Sequence, residues 1–186
     1  MKIAFRFSTR KSRAVDQTMI LVALGSNLPS AAGDPLATCQ AALKALAERG
    51  IETLSHSHWY ETAPIPASDQ PWFVNGVATM STTLDPQALL QRLHAIEHEF
   101  ARTRSIPNAA RTLDLDLLSY EEKQIANSML TLPHPRLHER SFVLYPLRDV
   151  APTWRHPLLG LTPDEMISKL PSGSEKPRIR LVLSPP

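Results

Sequence analysis

The chain has one cysteine, Cys39, among 186 residues. An internal disulfide is therefore excluded, as is any Cys-x-x-Cys metal site, and the usage fits a reducing compartment. Cys39 sits beside Gln40 and Ala41 in an expected helix, which suggests packing over chemistry. Glycine is nearly as scarce, at six residues. No Walker-type loop, dinucleotide-binding Gly motif or Gly-x-Ser-x-Gly elbow occurs, so cradling of phosphate by backbone amides is an unpromising solution for this chain. Long apolar runs are missing too. Ile20 to Leu24 is too short for a signal core, and nothing approaches a membrane span, so the sequence reads as a soluble, cytoplasmic protein.

Charge is small and unevenly placed. The net charge is +2, but residues 1–18 hold five Lys/Arg against one Asp, which leaves the rest with 15 basic and 17 acidic residues, a net of −2. A general nucleic-acid grip needs many phosphate-neutralising charges on the folded body, and this body lacks them. Residues 1–18 read as a disordered leader or as sequence upstream of a true start at Met19, in preference to a transit-type presequence. With 42% hydrophobic content the remainder suits one domain, 19–170, followed by a tail, 171–186.

What is present is an alternation of strand and helix signals. Ile20–Leu24 reads as a buried strand closed by a Gly25-Ser26-Asn27 turn. Asp34-Pro35 and Asp85-Pro86 each supply an N-cap followed by proline at the first helical position, predicting helices over 35–49 and from 86 onward. Leu89, Leu93, Ile96 and Phe100 form the buried stripe of the second helix. Strands are expected over 51–60 and 72–82, with a Pro-rich loop from Thr62 to Pro71 between them. Arg111 to Leu118 gives another. The order β-α-β-β-α-β predicts an α+β, ferredoxin-like fold: an antiparallel sheet with both helices on one face and an open face for a ligand. Further on, the pattern predicts a short hairpin near 124–126, a short helix over 142–150, a helix from Thr162-Pro163 to about Leu170, and one tail strand, Ile179 to Leu183.

The strand Arg111-Thr112-Leu113-Asp114-Leu115-Asp116-Leu117-Leu118 carries the chemistry. Residues two apart share a face, so Asp114 and Asp116 stand together, about 7 Å apart, over a leucine row. Like charges at that distance repel, and hard divalent cations would relieve them: Mg²⁺ takes carboxylate oxygens and completes its shell with water and substrate phosphates. A half-exposed strand with a polar outer face explains the same alternation. Arg102 and Arg104 precede the pair, Arg111 opens the strand, and His134, Arg136 and Arg140 follow. Guanidinium groups grip phosphate bidentately, so these residues with the carboxylates assemble the parts of phosphoryl-type transfer. Phe73 and Asn75 share a strand face and would suit a flat heteroaromatic ring; a core aromatic with an Asn turn cap is the plainer alternative. His94-Ala95-Ile96-Glu97-His98 matches an inverted zincin signature, though a polar helix flank is the plainer and preferred account.

Taken in order, Leu24-Gly25-Ser26-Asn27-Leu28, Tyr60-Glu61-Thr62, Phe73-Val74-Asn75, Arg111-Thr112-Leu113-Asp114-Leu115-Asp116, and Pro133-His134 followed by Arg140-Ser141-Phe142 resemble 6-hydroxymethyl-7,8-dihydropterin pyrophosphokinases of folate biosynthesis, from about Ile20 to about Pro152. The resemblance implies a monomeric enzyme with a ferredoxin-like fold that transfers pyrophosphate from ATP to the pterin hydroxymethyl group and releases AMP. It implies that Asp114 and Asp116 hold two Mg²⁺. It places Asn75, Phe73, Phe142, Thr62 and Ala63 at the pterin and Glu97, Arg102, Arg111, His134 and Arg140 at the nucleotide, with Arg102 and Arg111 also catalytic. Two departures stand out. The segment Ser105-Ile106-Pro107-Asn108-Ala109-Ala110 lacks the basic and aromatic residues usual there, and His94 replaces a frequent Gln near the nucleotide. A catalytically silent pterin or nucleotide binder, or a zinc hydrolase built on His94 and His98, are the competing readings.

Overall fold

The computed structural model describes residues 19–64, 67–100 and 110–171. The leader 1–18, the loop carrying Arg102, Arg104 and Ser105 to Ala109, and the tail strand at 179–183 lie outside the described residues. Strand β1 (Ile20–Ser26) leads into helix α1 (Pro35–Ala47); β2 (Glu52–His56), β3 (Tyr60–Thr62) and β4 (Phe73–Ser81) lead into α2 (Pro86–Glu99), and β5 (Asp114–Tyr120) follows. Both helix starts are capped as their Asp-Pro pairs predict: Asp34 Oδ1 accepts from Ala37 N at 2.8 Å and Asp85 Oδ1 from Ala88 N at 2.9 Å. The sheet order is β2-β4-β1-β5, all antiparallel, with β3 also on β4. This is the split βαβ topology that the element order predicts.

The expected strand over 51–60 is two strands, both on β4. Trp59 causes the break. Its ring lies against Gly76, where a Cβ would come within 2.7 Å, so the chain steps out of the ladder to insert an indole into the core. Ser57 bridges the step: its N–H donates to Val77 O at 2.9 Å and its Oγ accepts from Val77 N at 3.0 Å. The strand that carries Asp114 and Asp116 also starts later than expected, at Asp114. Arg111 lies ahead of the ladder, where its carbonyl accepts from the amides of Asn27 and Leu28.

Two cores flank the sheet. Val22, Leu24, Ala78, Leu115 and Leu117 pack beneath α1 and α2 with Leu46, Leu89, Leu93 and Ile96. On the opposite face, α3 (Ser141–Val150) lays Val143, Leu144 and Leu147 over Leu21, Val77 and Leu118, backed by Trp154 and by Met166 of α4 (Pro163–Ile167). The face that the sequence leaves open is thus covered along part of its area, because the short apolar segment after Arg140 folds back over it. The site occupies what α3 leaves. A two-strand hairpin, β6 (Ile125–Ala126) with β7 (Thr131–Leu132), closes the edge beyond β5. Among the described residues no helix is long and apolar enough to cross a membrane.

Candidate active site

Strand register brings the candidate residues into one row. On the α3 side of the sheet, Asn75 of β4 pairs with Gly25 of β1, and Gly25 pairs with Asp114 of β5; one step further along, Ala23 pairs with Asp116. Glycine at the centre of the row is a steric requirement. A Cβ on Gly25 would lie 3.0 Å from Asn75 Oδ1 and 3.7 Å from Asp114 Cβ, so its absence keeps a gap between the amide and the carboxylate.

At one end of the row the polar groups are fixed before any ligand arrives. Asn75 Nδ2 donates to Thr62 Oγ1 at 2.7 Å, both residues being buried, which orients the amide and leaves its oxygen toward the gap at Gly25. Phe73, half-buried, lies two residues before Asn75, and Ala63 directly follows Thr62.

At the other end each carboxylate is held by an arginine. Arg111 Nη1 donates to Asp114 Oδ2 at 2.6 Å and Arg140 Nη1 to Asp116 Oδ2 at 3.4 Å. Each arginine also lies against one of the two candidate stacking rings: Arg111 Cζ is 5.8 Å from the Phe73 centroid and Arg140 Cζ 5.6 Å from that of Phe142. The four charged side chains are between 21% and 35% exposed, open enough to exchange partners. Two carboxylates on one strand face, reachable from solvent and backed by cations, are a hard-oxygen donor set that fits Mg²⁺.

His134 sits beside them. Its backbone N–H donates to Leu118 O at 2.8 Å and its ring Nδ1 accepts from Arg136 N at 3.1 Å, so the neutral ring carries its proton on Nε2. Desolvation lowers its pKa, opposed by Asp116 and reinforced by Arg140 and Arg136. The ring is therefore a neutral donor near neutral pH.

Glu97 does not reach this face. It is 1% exposed on α2, under the sheet, and Oε1 accepts from Leu115 N at 2.8 Å. It thereby fixes the backbone between the two aspartates. This also removes the zinc reading of His94 and His98, whose central glutamate is committed to the strand; among the described residues no group of three His, Cys, Asp or Glu could hold a metal. Arg102 lies outside the described residues.

Sequence reasoning passed over two residues. Gly25, read as a turn, is in the strand, and the signal for it was a lone glycine ending an apolar run. Asn27, 1% exposed, accepts from Arg111 N at 2.8 Å and donates to Pro71 O at 3.1 Å and Gln70 Oε1 at 3.3 Å, tying the arginine's backbone to the segment that enters Phe73. No local pattern distinguishes such a long-range staple from a turn asparagine.

Known proteins resemble this chain in sequence and in fold. Residues 21–152 match the family model for 7,8-dihydro-6-hydroxymethylpterin-pyrophosphokinase (HPPK). The chain is 44% identical over 161 residues to a 2-amino-4-hydroxy-6-hydroxymethyldihydropteridine pyrophosphokinase of Pseudomonas aeruginosa, covering 82% of this chain and 96% of that one. It is 36% identical to the folic acid synthesis protein fol1 of Pneumocystis carinii, covering 90% of this chain but only 22% of that longer protein. In fold, it superposes on a Plasmodium falciparum HPPK-DHPS crystal structure with a TM-score of 0.60 at 15% identity, over 81% of this chain and 43% of that one. The chain belongs to the 7,8-dihydro-6-hydroxymethylpterin-pyrophosphokinase family.

Proposed function

We propose that the domain over 19–170 transfers pyrophosphate from ATP to the hydroxymethyl group of 6-hydroxymethyl-7,8-dihydropterin, with release of AMP, as a cytoplasmic monomer. The observation that carries this reading is the row Asn75–Gly25–Asp114, which sets a heterocycle-recognising amide one strand spacing either side of a glycine from a metal-binding carboxylate. Asn75, with Thr62 and Ala63 beside it, reads the pterin edge, and Phe73 and Phe142 stack on its two faces. The hydroxymethyl oxygen then projects across Gly25 toward the carboxylates.

Asp114 and Asp116 would hold two Mg²⁺, which when bound would supply charge neutralisation for the triphosphate. Arg111 and Arg140, displaced from the aspartates, turn to phosphate oxygens, and His134 donates from Nε2. The family resemblance gives Arg102 the same role. Glu97 serves the nucleotide site indirectly, by fixing Leu115 N and with it the spacing of the two carboxylates. The attacking oxygen forms its bond to the β-phosphorus as the bond to the αβ-bridging oxygen breaks. Positioning and charge neutralisation supply the rate.

The test is AMP formation from ATP and the pterin, followed by chromatography, with Mg²⁺ present or chelated. Stoichiometric AMP and pterin diphosphate that depend on Mg²⁺ are expected. A folded protein that binds the pterin without forming AMP would overturn the reading in favour of a silent binder.

A further inference from the structure

Strand β3 is an edge strand of three residues, yet it ends on Thr62, with Ala63 directly after it. Its ladder to β4 runs only from Tyr60–Asn75 to Thr62–Phe73, and the chain before it has left the sheet at Trp59. So short an edge, paired on one side, fixes little by itself. A second attachment comes from the opposite layer. Asp149, near the C-terminal end of α3, directs Oδ2 at the strand, where it accepts from Tyr60 Oη at 2.7 Å, from His58 Nδ1 at 3.1 Å and from His58 N at 3.3 Å. The Asp149 side chain is 18% exposed and Tyr60 is buried.

The same helix carries Phe142. Seven residues, about two helical turns, separate Phe142 from Asp149, which puts both on one face of α3. Tyr60 and Thr62 likewise share one face of β3. The seam between α3 and β3 therefore has two rungs: a polar one, Asp149 with Tyr60 and His58, and next to it the space between Phe142 and the Thr62–Asn75 pair. At its other end α3 is tied to the sheet by Arg140 and Asp116, a contact that the reaction takes apart if both turn to metal and phosphate. The Asp149 rung takes no part in that exchange.

We propose that Asp149 and Tyr60 are positioning residues for the pterin: their hydrogen bond, assisted by His58, sets the separation of α3 from β3 and so the width of the slot between Phe142 and the Thr62–Asn75 pair. The proposal rests on the pterin reading given above. It assigns the cluster an effect on pterin affinity with little effect on ATP or on turnover at saturation. Loss of a hydrogen bond to a charged acceptor at this part-buried site predicts an effect of about tenfold.

Steady-state kinetics of Tyr60→Phe, Asp149→Ala and Asp149→Asn test it, together with calorimetric titration of the pterin in the presence of Mg²⁺ and α,β-methylene ATP. Tyr60→Phe and Asp149→Ala should raise KM for the pterin about tenfold while KM for ATP and kcat stay within about twofold. Asp149→Asn, which keeps an acceptor oxygen, should recover part of the loss. A purely structural role would lower the folded fraction, and hence kcat, at unchanged KM; that pattern, or wild-type pterin KM in folded variants, overturns the proposal. Absence of AMP release by the wild-type protein would instead sink the pyrophosphokinase reading, and the calorimetric affinities would still decide the positioning role.

Discussion

Arg111 Nη1 lies 2.6 Å from Asp114 Oδ2, three residues along the chain, so the candidate metal ligand and the candidate phosphate ligand neutralise each other. The pair is partly exposed, and such pairs contribute up to about 1 kcal/mol, little enough to be exchanged readily. Two cations and two anions on one sheet edge can therefore wait for a metal and a polyphosphate without large electrostatic strain.

Neutralising either carboxylate should remove that exchange. Asp114→Ala and Asp116→Ala are each expected to lower kcat by at least about 100-fold, since the charge developing on the transferred group then lacks its counter-ion. Asp114→Asn should do the same although it keeps the shape. AMP release under saturating ATP, pterin and Mg²⁺ is the measurement, and wild-type turnover in any of the three would remove the aspartates from the mechanism.

Gly25→Ala tests the gap in the row. The added Cβ would come within 3.0 Å of Asn75 Oδ1, and that amide is already held by Thr62. The side chain has little room to retreat. Pterin KM should rise about tenfold or more, while the stability cost of one methyl at a partly open sheet face stays near about 1 kcal/mol. Kinetics and a thermal melt on the same sample separate the two effects.

Glu97 makes a different kind of contribution. Glu97→Ala leaves the Leu115 N–H buried without its acceptor, at a cost of about 1–3 kcal/mol, or a fall of several degrees in Tm. Glu97→Gln keeps an oxygen in place and should recover much of the stability. If alanine and glutamine melt alike, the contact to Leu115 is not what Glu97 supplies.

The legible parts of this molecule were those written in short-range pattern. Asp34-Pro35 and Asp85-Pro86 cap their helices as expected, and alternation alone placed Asp114 and Asp116 on one face above Leu113, Leu115 and Leu117. Where a distant partner decides, pattern fails. The break at Ser57–Trp59 depends on Gly76, nineteen residues after Ser57 in the chain, and nothing local to Trp59 reports it. The cover that α3 places over the second sheet face depends on Leu21, Val77 and Leu118 having the matching apolar surface. Glu97 was placed at the nucleotide by the family resemblance; its burial follows from the register of α2 against β5, which helical spacing alone does not give.

Acid sensitivity should arise away from the active site, at His156. The residue is 4% exposed; its ring Nδ1 accepts from Leu158 N at 3.2 Å and Leu159 N at 3.3 Å, and Trp154 and His138 meet its edges. Desolvation, with a smaller contribution from His138, lowers its pKa from 6.5 to about 4. Protonation would put hydrogen on the nitrogen that two amides already approach. The unfolded chain takes up that proton first, so the stabilisation is complete above about pH 6.5 and is lost as pH falls from there through about 4. With solvent screening at the open side of this loop, the loss should be about 2 kcal/mol. Thermal melts at pH 7 and pH 4.5 should therefore show a larger drop in Tm for the wild-type protein than for His156→Gln, which keeps an acceptor but does not titrate. Parallel drops would assign the acid sensitivity to other groups, Glu165 among them, whose own pKa is lowered by its capping bonds to Thr162.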